Sequence, residues 1–163
     1  MHDRLEITLT RLATVLAAIG LLFGGTNDKE DIEPNTVAGK APVYTVVGYS
    51  EKEYGKLVTK NAKENPSPTN SRAYARYKVE SDKQFKCLNR LWGKESAWTH
   101  TADNPYSSAY GIPQAMPGNK MADMGADWRT NPVTQIDWGL KYIRLRYGDP
   151  CGAWSFFLKN NWY

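Results

Sequence analysis

Phe85, Leu88, Leu91, Trp92 and Glu95, in the stretch QFKCLNRLWGKESAW over residues 84–98, recur at three- and four-residue steps. That spacing places them on one side of an α-helix. Glu95 occupies a position where the pattern calls for an apolar residue. Burial disfavours the charged form of a carboxyl group and raises its pKa, so a Glu on such a face can donate a proton near neutral pH. It is the leading candidate for chemistry in this chain. Spacing alone leaves a second course open, in which Glu95 turns into solvent or pairs with Arg90 or Lys94, because Gly93 loosens the register.

Several elements must position that carboxylate. Asp82 is a candidate cap for the start of its helix. Downstream, Tyr110-Gly111-Ile112-Pro113-Gln114 combines a glycine for tight backbone with a proline that fixes the next φ, so Gln114 is expected on a rigid loop. It serves there either as a polar group facing a ligand or as a loop-to-backbone hydrogen bond. Asn131 is a good N-cap and Pro132 a good first helical residue. Val133, Ile136, Leu140, Ile143 and Tyr147 then form an apolar stripe that ends at Gly148. Trp138 and Tyr142 lie four apart on a neighbouring face, where Trp138 reads as core before ligand platform.

Composition locates the folded part. All six Trp and fourteen of the twenty aromatics fall after residue 84, so the C-terminal half carries the side chains that bury most apolar area. Residues 83–163 are read as the packed domain. Residues 1–25 contain the uncharged apolar run LATVLAAIGLLF at 12–23, preceded by Arg4 and Arg11. This is short for a membrane span and nearer a signal peptide or an uncleaved signal-anchor. A buried helix of a soluble domain is the other reading. Residues 26–82 are read as a spacer with little regular structure: the charge run DKED, a short strand over 43–47 (VYTVV), a short polar helix over 51–63, and the linker-like NPSPTNS at 65–71.

With two cysteines and two histidines, a four-cysteine zinc site and a His-rich catalytic metal centre are excluded, and no metal or cofactor is expected. His100 reads as a surface loop residue. In an exported chain Cys87 and Cys151 pair as one disulfide, whereas a cytosolic chain would keep two free thiols. The formal charge of +4 argues only mildly for anionic partners. Lys and Arg are spread along the chain without interleaved aromatics, which speaks against nucleic acid.

Three stretches in order, Lys94-Glu95-Ser96, YSSAYGIPQAMP at 106–117 and NPVTQIDWGLKYIRLRYG at 131–148, resemble the soluble lytic transglycosylases of the lysozyme-like superfamily. The closest resemblance is to the compact secreted or phage-borne branch, whose loop reads Gly-Ile-Pro-Gln-Ala and whose chain ends in Trp-Tyr. The likeness covers residues 85–163 and none of the first 80. It implies a mainly α fold, a small lysozyme-like helical domain with few or no strands.

The resemblance makes Glu95 the catalytic acid, Gln114 a group lining a sugar groove and Tyr142 a groove hydroxyl near the acid. Ser107, Ser108 and Tyr110 belong to the substrate-binding loop. Ser108 stands where the closest relatives carry Gly, so it would strain the turn if that position needs a positive φ. The implied substrate is the glycan strand of peptidoglycan, cleaved between N-acetylmuramic acid and N-acetylglucosamine to leave a 1,6-anhydro end.

Two alternatives remain. A hydrolytic lysozyme would use a second carboxylate, drawn from Asp103, Asp123, Asp127, Asp137 and Asp149, of which Asp103 is nearest in sequence. A wall-binding module would keep the groove without the chemistry. The expected protein is a monomer, secreted or membrane-anchored on the extracytoplasmic side, touching a membrane only through an uncleaved N-terminal segment.

Overall fold

The computed structural model describes residues 49–163, so the apolar run at 12–23 and the strand expected over 43–47 lie outside the described residues. Among those described there are five α-helices: α1 Glu51–Glu64, α2 Pro68–Val79, α3 Asp82–Glu95, α4 Pro132–Tyr147 and α5 Pro150–Asn160. A 3-10 helix spans Gly118–Asp123. No strand occurs in this region; single bridges join Tyr110 to Asp103 and to Ala115. The expected mainly α character holds here. None of the described helices is long and apolar enough to cross a membrane.

The spacer reading of 26–82 is corrected over its described part. Residues 51–79 form α1, which bears out the short polar helix expected over 51–63, and α2, and Val58, Ala62, Tyr74 and Ala75 from these helices enter the hydrophobic core. Two signals account for the difference. In α1 the polar composition hides a narrow buried stripe of Gly55, Val58 and Ala62, enough to seat a helix on a neighbour. Its start is closed by a capping box between Ser50 and Glu53. In the linker-like 65–71 segment, Ser67 caps α2 by accepting from the Asn70 N–H, and Pro68 is the first helical residue. What resembled a flexible Pro-Ser-Pro linker is a helix start, and residue 83 is no domain boundary.

Helix α3 begins at Asp82 and is capped by Ser81, whose Oγ accepts from Gln84 N; the expected cap, Asp82, is instead the first helical residue and pairs with Arg76. The helix buries Leu88, Leu91 and Trp92. Fully burying an aliphatic side chain of this size contributes about 1.5–3 kcal/mol. α3 packs against α2 on one side and α5 on the other, and α4 packs against α1, α2 and α5. Cys87 and Cys151 form a disulfide that joins α3 to the first turn of α5. In α4, Asn131 Oδ1 accepts from Val133 N and Pro132 opens the helix as expected. Its stripe delivers Ile136 and Ile143 to the core, with Val133, Leu140 and Tyr147 packed against it.

Candidate active site

Glu95 is the last residue of α3. The chain leaves the helix through Ser96 and then through Ala97 and Trp98, which both adopt left-handed backbone at φ 51° and 66°. Such conformations are costly for residues with a Cβ and persist only where the surroundings hold them. The Trp98 N–H donates to Trp92 O and Ser96 Oγ, its Nε1 donates to Asn89 O, and its buried ring meets Trp92 edge-to-face at 5.2 Å. The helix therefore stops at Glu95, with the carboxylate at its tip.

That carboxylate is half-buried, makes no ion pair with Arg90 or Lys94, and accepts no hydrogen bond from any described residue. It is not sealed in, because among the described residues the fully enclosed side-chain polar atoms lacking a partner are Ser71 Oγ and Tyr147 OH. Burial without a compensating donor pushes its pKa up to about 7. A carboxyl group in this state is substantially protonated near neutrality and still reachable from solvent, which is the condition for delivering a proton to a bound molecule.

The loop that follows is fixed to the tip of α3 from several directions. Ser96 Oγ donates to Ile112 O at 2.8 Å, and Ile112 N donates to Gln135 Oε1 at 2.9 Å. Gln135 is fully buried on α4, and its Nε2 donates to His100 O and Trp128 O. Gly111, at φ 77°, lies so close to this amide that a Cβ would come within 2.5 Å of Gln135 Oε1. The Tyr163 hydroxyl accepts from Trp92 Nε1 at 2.8 Å and donates to Pro113 O at 2.9 Å. One turn before Glu95, the catalytic-candidate helix is thus tied to the 111–114 loop by a single phenol. The charge of Glu95 helps to hold the Tyr163 pKa above its ordinary value, after burial, so the two side chains lie within electrostatic reach.

The other expected site residues distribute unevenly. Tyr142 is half-buried, stacked on Trp138 at 5.3 Å and edge-on to Tyr163 at 5.9 Å, so it belongs to the aromatic wall that includes Tyr163. Gln114, at φ 48°, donates through Nε2 to Ala102 O and Gly111 O. Its amide nitrogen is a brace for its own loop, the plainer of its two sequence readings, and only Oε1 stays unengaged. Tyr110 donates its hydroxyl to Arg129 O and packs edge-to-face on Trp128 at 5.5 Å, with the Arg129 guanidinium over both rings. Ser107 Oγ accepts from Ala109 N, and Ser107 and Ser108 are both exposed. The strain expected at Ser108 is absent, since positive φ in this loop falls on Gly111 and Gln114. His100 is half-buried rather than a surface residue, and burial lowers its pKa.

Three of the five downstream aspartates are engaged in structure. Asp127 accepts from Asn131 Nδ2 and Thr134 Oγ1, which holds its pKa low. Asp137 accepts from Tyr74 OH and pairs with Lys78 at 3.1 Å. Asp149 caps α5 and accepts from Gln84. Asp103 and Asp123 are exposed. A cavity of about 410 Å³ opens beside Lys78, Gln84, Asp137, Arg144 and Asp149, and Glu95 does not line it.

Sequence reasoning missed Gln135 and Tyr163. Gln135 had a usable signal, an amide flanked by Thr134 and Ile136 on a helix with an apolar stripe. Tyr163 had none, because a hydroxyl joining residues 71 and 50 positions away leaves no local pattern. In comparisons with known proteins, no family model, no curated protein and no solved structure matches this chain.

Proposed function

We propose that this protein is a peptidoglycan lytic transglycosylase whose single general acid and base is Glu95. The observation that carries the reading is a half-buried, unpaired carboxylate at the end of α3, with its pKa raised to about 7 by burial. The ordered Glu-Ser, Gly-Ile-Pro-Gln and Asn-Pro stretches that resemble this enzyme family supply the substrate class. An unbranched glycan strand would lie over Glu95, beside the 106–117 loop that Ser96 ties to the end of α3.

In the proposed course, the Glu95 carboxyl group gives its proton to the glycosidic oxygen, and the bond to C1 of N-acetylmuramic acid breaks. The carbonyl oxygen of the substrate's own 2-acetamido group shares the charge developing at C1. The Glu95 carboxylate then takes the proton from the 6-hydroxyl as O6 bonds to C1. The 1,6-anhydro ring closes, the carboxyl group is restored, and no water is consumed. A lone acid suffices for this sequence; with Asp127, Asp137 and Asp149 engaged elsewhere, the two-carboxylate alternative would have to draw on Asp103 or Asp123.

Digestion of purified sacculi followed by mass spectrometry of the products is the test. Anhydro-muramic ends that disappear in Glu95→Gln are expected. Ends heavier by one water would replace the transglycosylase with a lysozyme. Binding to walls without any cleavage would leave only a wall-binding module.

A further inference from the structure

The cations of α3 do not scatter over the surface. Lys83, Lys86, Arg90 and Lys94 follow one another at three- and four-residue steps, all exposed, on the side of the helix opposite Leu88, Leu91 and Trp92. At 1.5 Å per residue they form a line about 16 Å long. None of the four takes part in an ion pair among the described residues. Of the nearby acids, Asp82 is held by Arg76 and Asp149 caps α5 while accepting from Gln84, and the exposed Glu80 pairs with none of the four. Arg72 of α2 adds a fifth positive charge beside the line, where its Nε donates to Asn89 Oδ1.

Like charges three and four residues apart on a helix repel one another, a cost that a partner of opposite sign would relieve. Its geometry also describes that partner. Charges at roughly regular axial steps suit a linear polyanion better than a single anionic group. Three of the four are lysines, compact point charges that pair with phosphate without demanding the bidentate geometry that arginine offers to phosphate and carboxylate alike. No aromatic side chain interrupts the line, and Gly93 and Asn89 are the other exposed residues nearby. Base-stacking platforms, the usual means of holding single-stranded nucleic acid, are therefore missing from this face.

We infer that the outer face of α3 is a docking rail for a base-free phosphodiester polymer of the cell wall, a poly(alditol phosphate), which would hold the enzyme on its substrate. The inference rests on the wall-acting reading given above, but the two fail separately. The rail is read from binding to soluble poly(glycerol phosphate), whereas the enzyme is read from product analysis on sacculi.

The experiment measures the affinity of the whole chain for fluorescent poly(glycerol phosphate) over a series of salt concentrations. The parent protein and Glu95→Gln should bind alike, since Glu95 lies on the opposite face. Releasing counterions from four contacts gives log K against log salt a slope of about −3. The variant K83Q/K86Q/R90Q/K94Q should lose at least about tenfold in affinity at low salt and most of that slope, with an unchanged circular dichroism spectrum. Should that variant not fold, K86Q/R90Q, two exposed changes, should halve the slope.

Unchanged binding in either folded variant, or salt-independent binding by the parent, would overturn the inference. So would tighter binding of duplex DNA of matched charge, which would make the face a nucleic-acid surface. If binding behaves as expected while sacculi remain intact, the rail stands and the transglycosylase reading falls.

Discussion

Replacing Glu95 by glutamine should abolish wall lysis and, above neutral pH, make the folded protein more stable. Burial without a hydrogen-bond donor raises the Glu95 pKa from 4.5 to about 7. Each tenfold step in proton affinity is worth about 1.4 kcal/mol, so ionising the group in the folded state costs at most about 3.5 kcal/mol relative to the unfolded chain. The carboxylate keeps part of its solvent contact, which reduces the expected penalty to about 1–2 kcal/mol.

The sign follows from linkage. The folded state holds this proton more tightly than the unfolded state. Below about pH 4.5 both states are protonated and no penalty exists; between about pH 4.5 and 7 the unfolded chain ionises first and stability drains away; above about pH 7 the loss is complete. Glutamine never ionises, so urea midpoints of the two proteins should coincide near pH 4 and separate by about 1–2 kcal/mol near pH 9, with glutamine ahead. Equal stability at both pH values, or glutamine behind at pH 9, would show that Glu95 is adequately solvated or paired. It would then have no reason to act as an acid near neutrality.

Other expectations follow from the same contacts. The rate of wall cleavage should fall as pH rises through about 7, where Glu95 loses its proton, and a profile flat to pH 9 would exclude it as the donor. Asp103→Asn and Asp127→Asn should retain most activity in the same assay, since neither is needed by a single-acid mechanism; a loss on the scale of Glu95→Gln would restore the two-carboxylate reading. Gln135→Leu strands Ile112 N–H and the carbonyls of His100 and Trp128, and should cost about 2–4 kcal/mol in urea denaturation, with faster amide exchange at Ile112. Removing both cysteines frees a 64-residue loop and should cost about 4 kcal/mol on the chain-entropy model, readable as a lower thermal midpoint.

Much of the local design was open to reading from residue order. Asn131-Pro132 followed by an apolar stripe to Gly148 specified α4, because caps and periodicity act within a few residues of each other. The odd carboxylate in the α3 stripe was visible for the same reason. Where reading failed, the local signal was ambiguous. The helix expected over 51–63 is there as α1, but its polar composition masked the stripe it buries; a Pro-Ser-Pro run concealed the cap of α2, and nothing in sequence announced left-handed Ala97 and Trp98 just past the end of α3. Left-handed backbone at such residues persists only where the surroundings hold it, here the Trp92–Trp98 ring contact and the hydrogen bonds of Trp98 N–H.

The sequence by itself determined which residues form helices α3 and α4, that Glu95 shares the apolar side of α3, and that the two cysteines are the pair available for a bridge. Only the tertiary structure decided that Glu95 is left without a partner, that Gln135 and Tyr163 clamp the 111–114 loop, and that Gln114 braces this loop through its amide nitrogen. The physical reason is range. Capping and amphipathic spacing are interactions between near neighbours and leave a pattern in the residue order. Desolvation of a carboxylate, by contrast, is set by everything packed around it, including a hydroxyl 68 residues further along the chain.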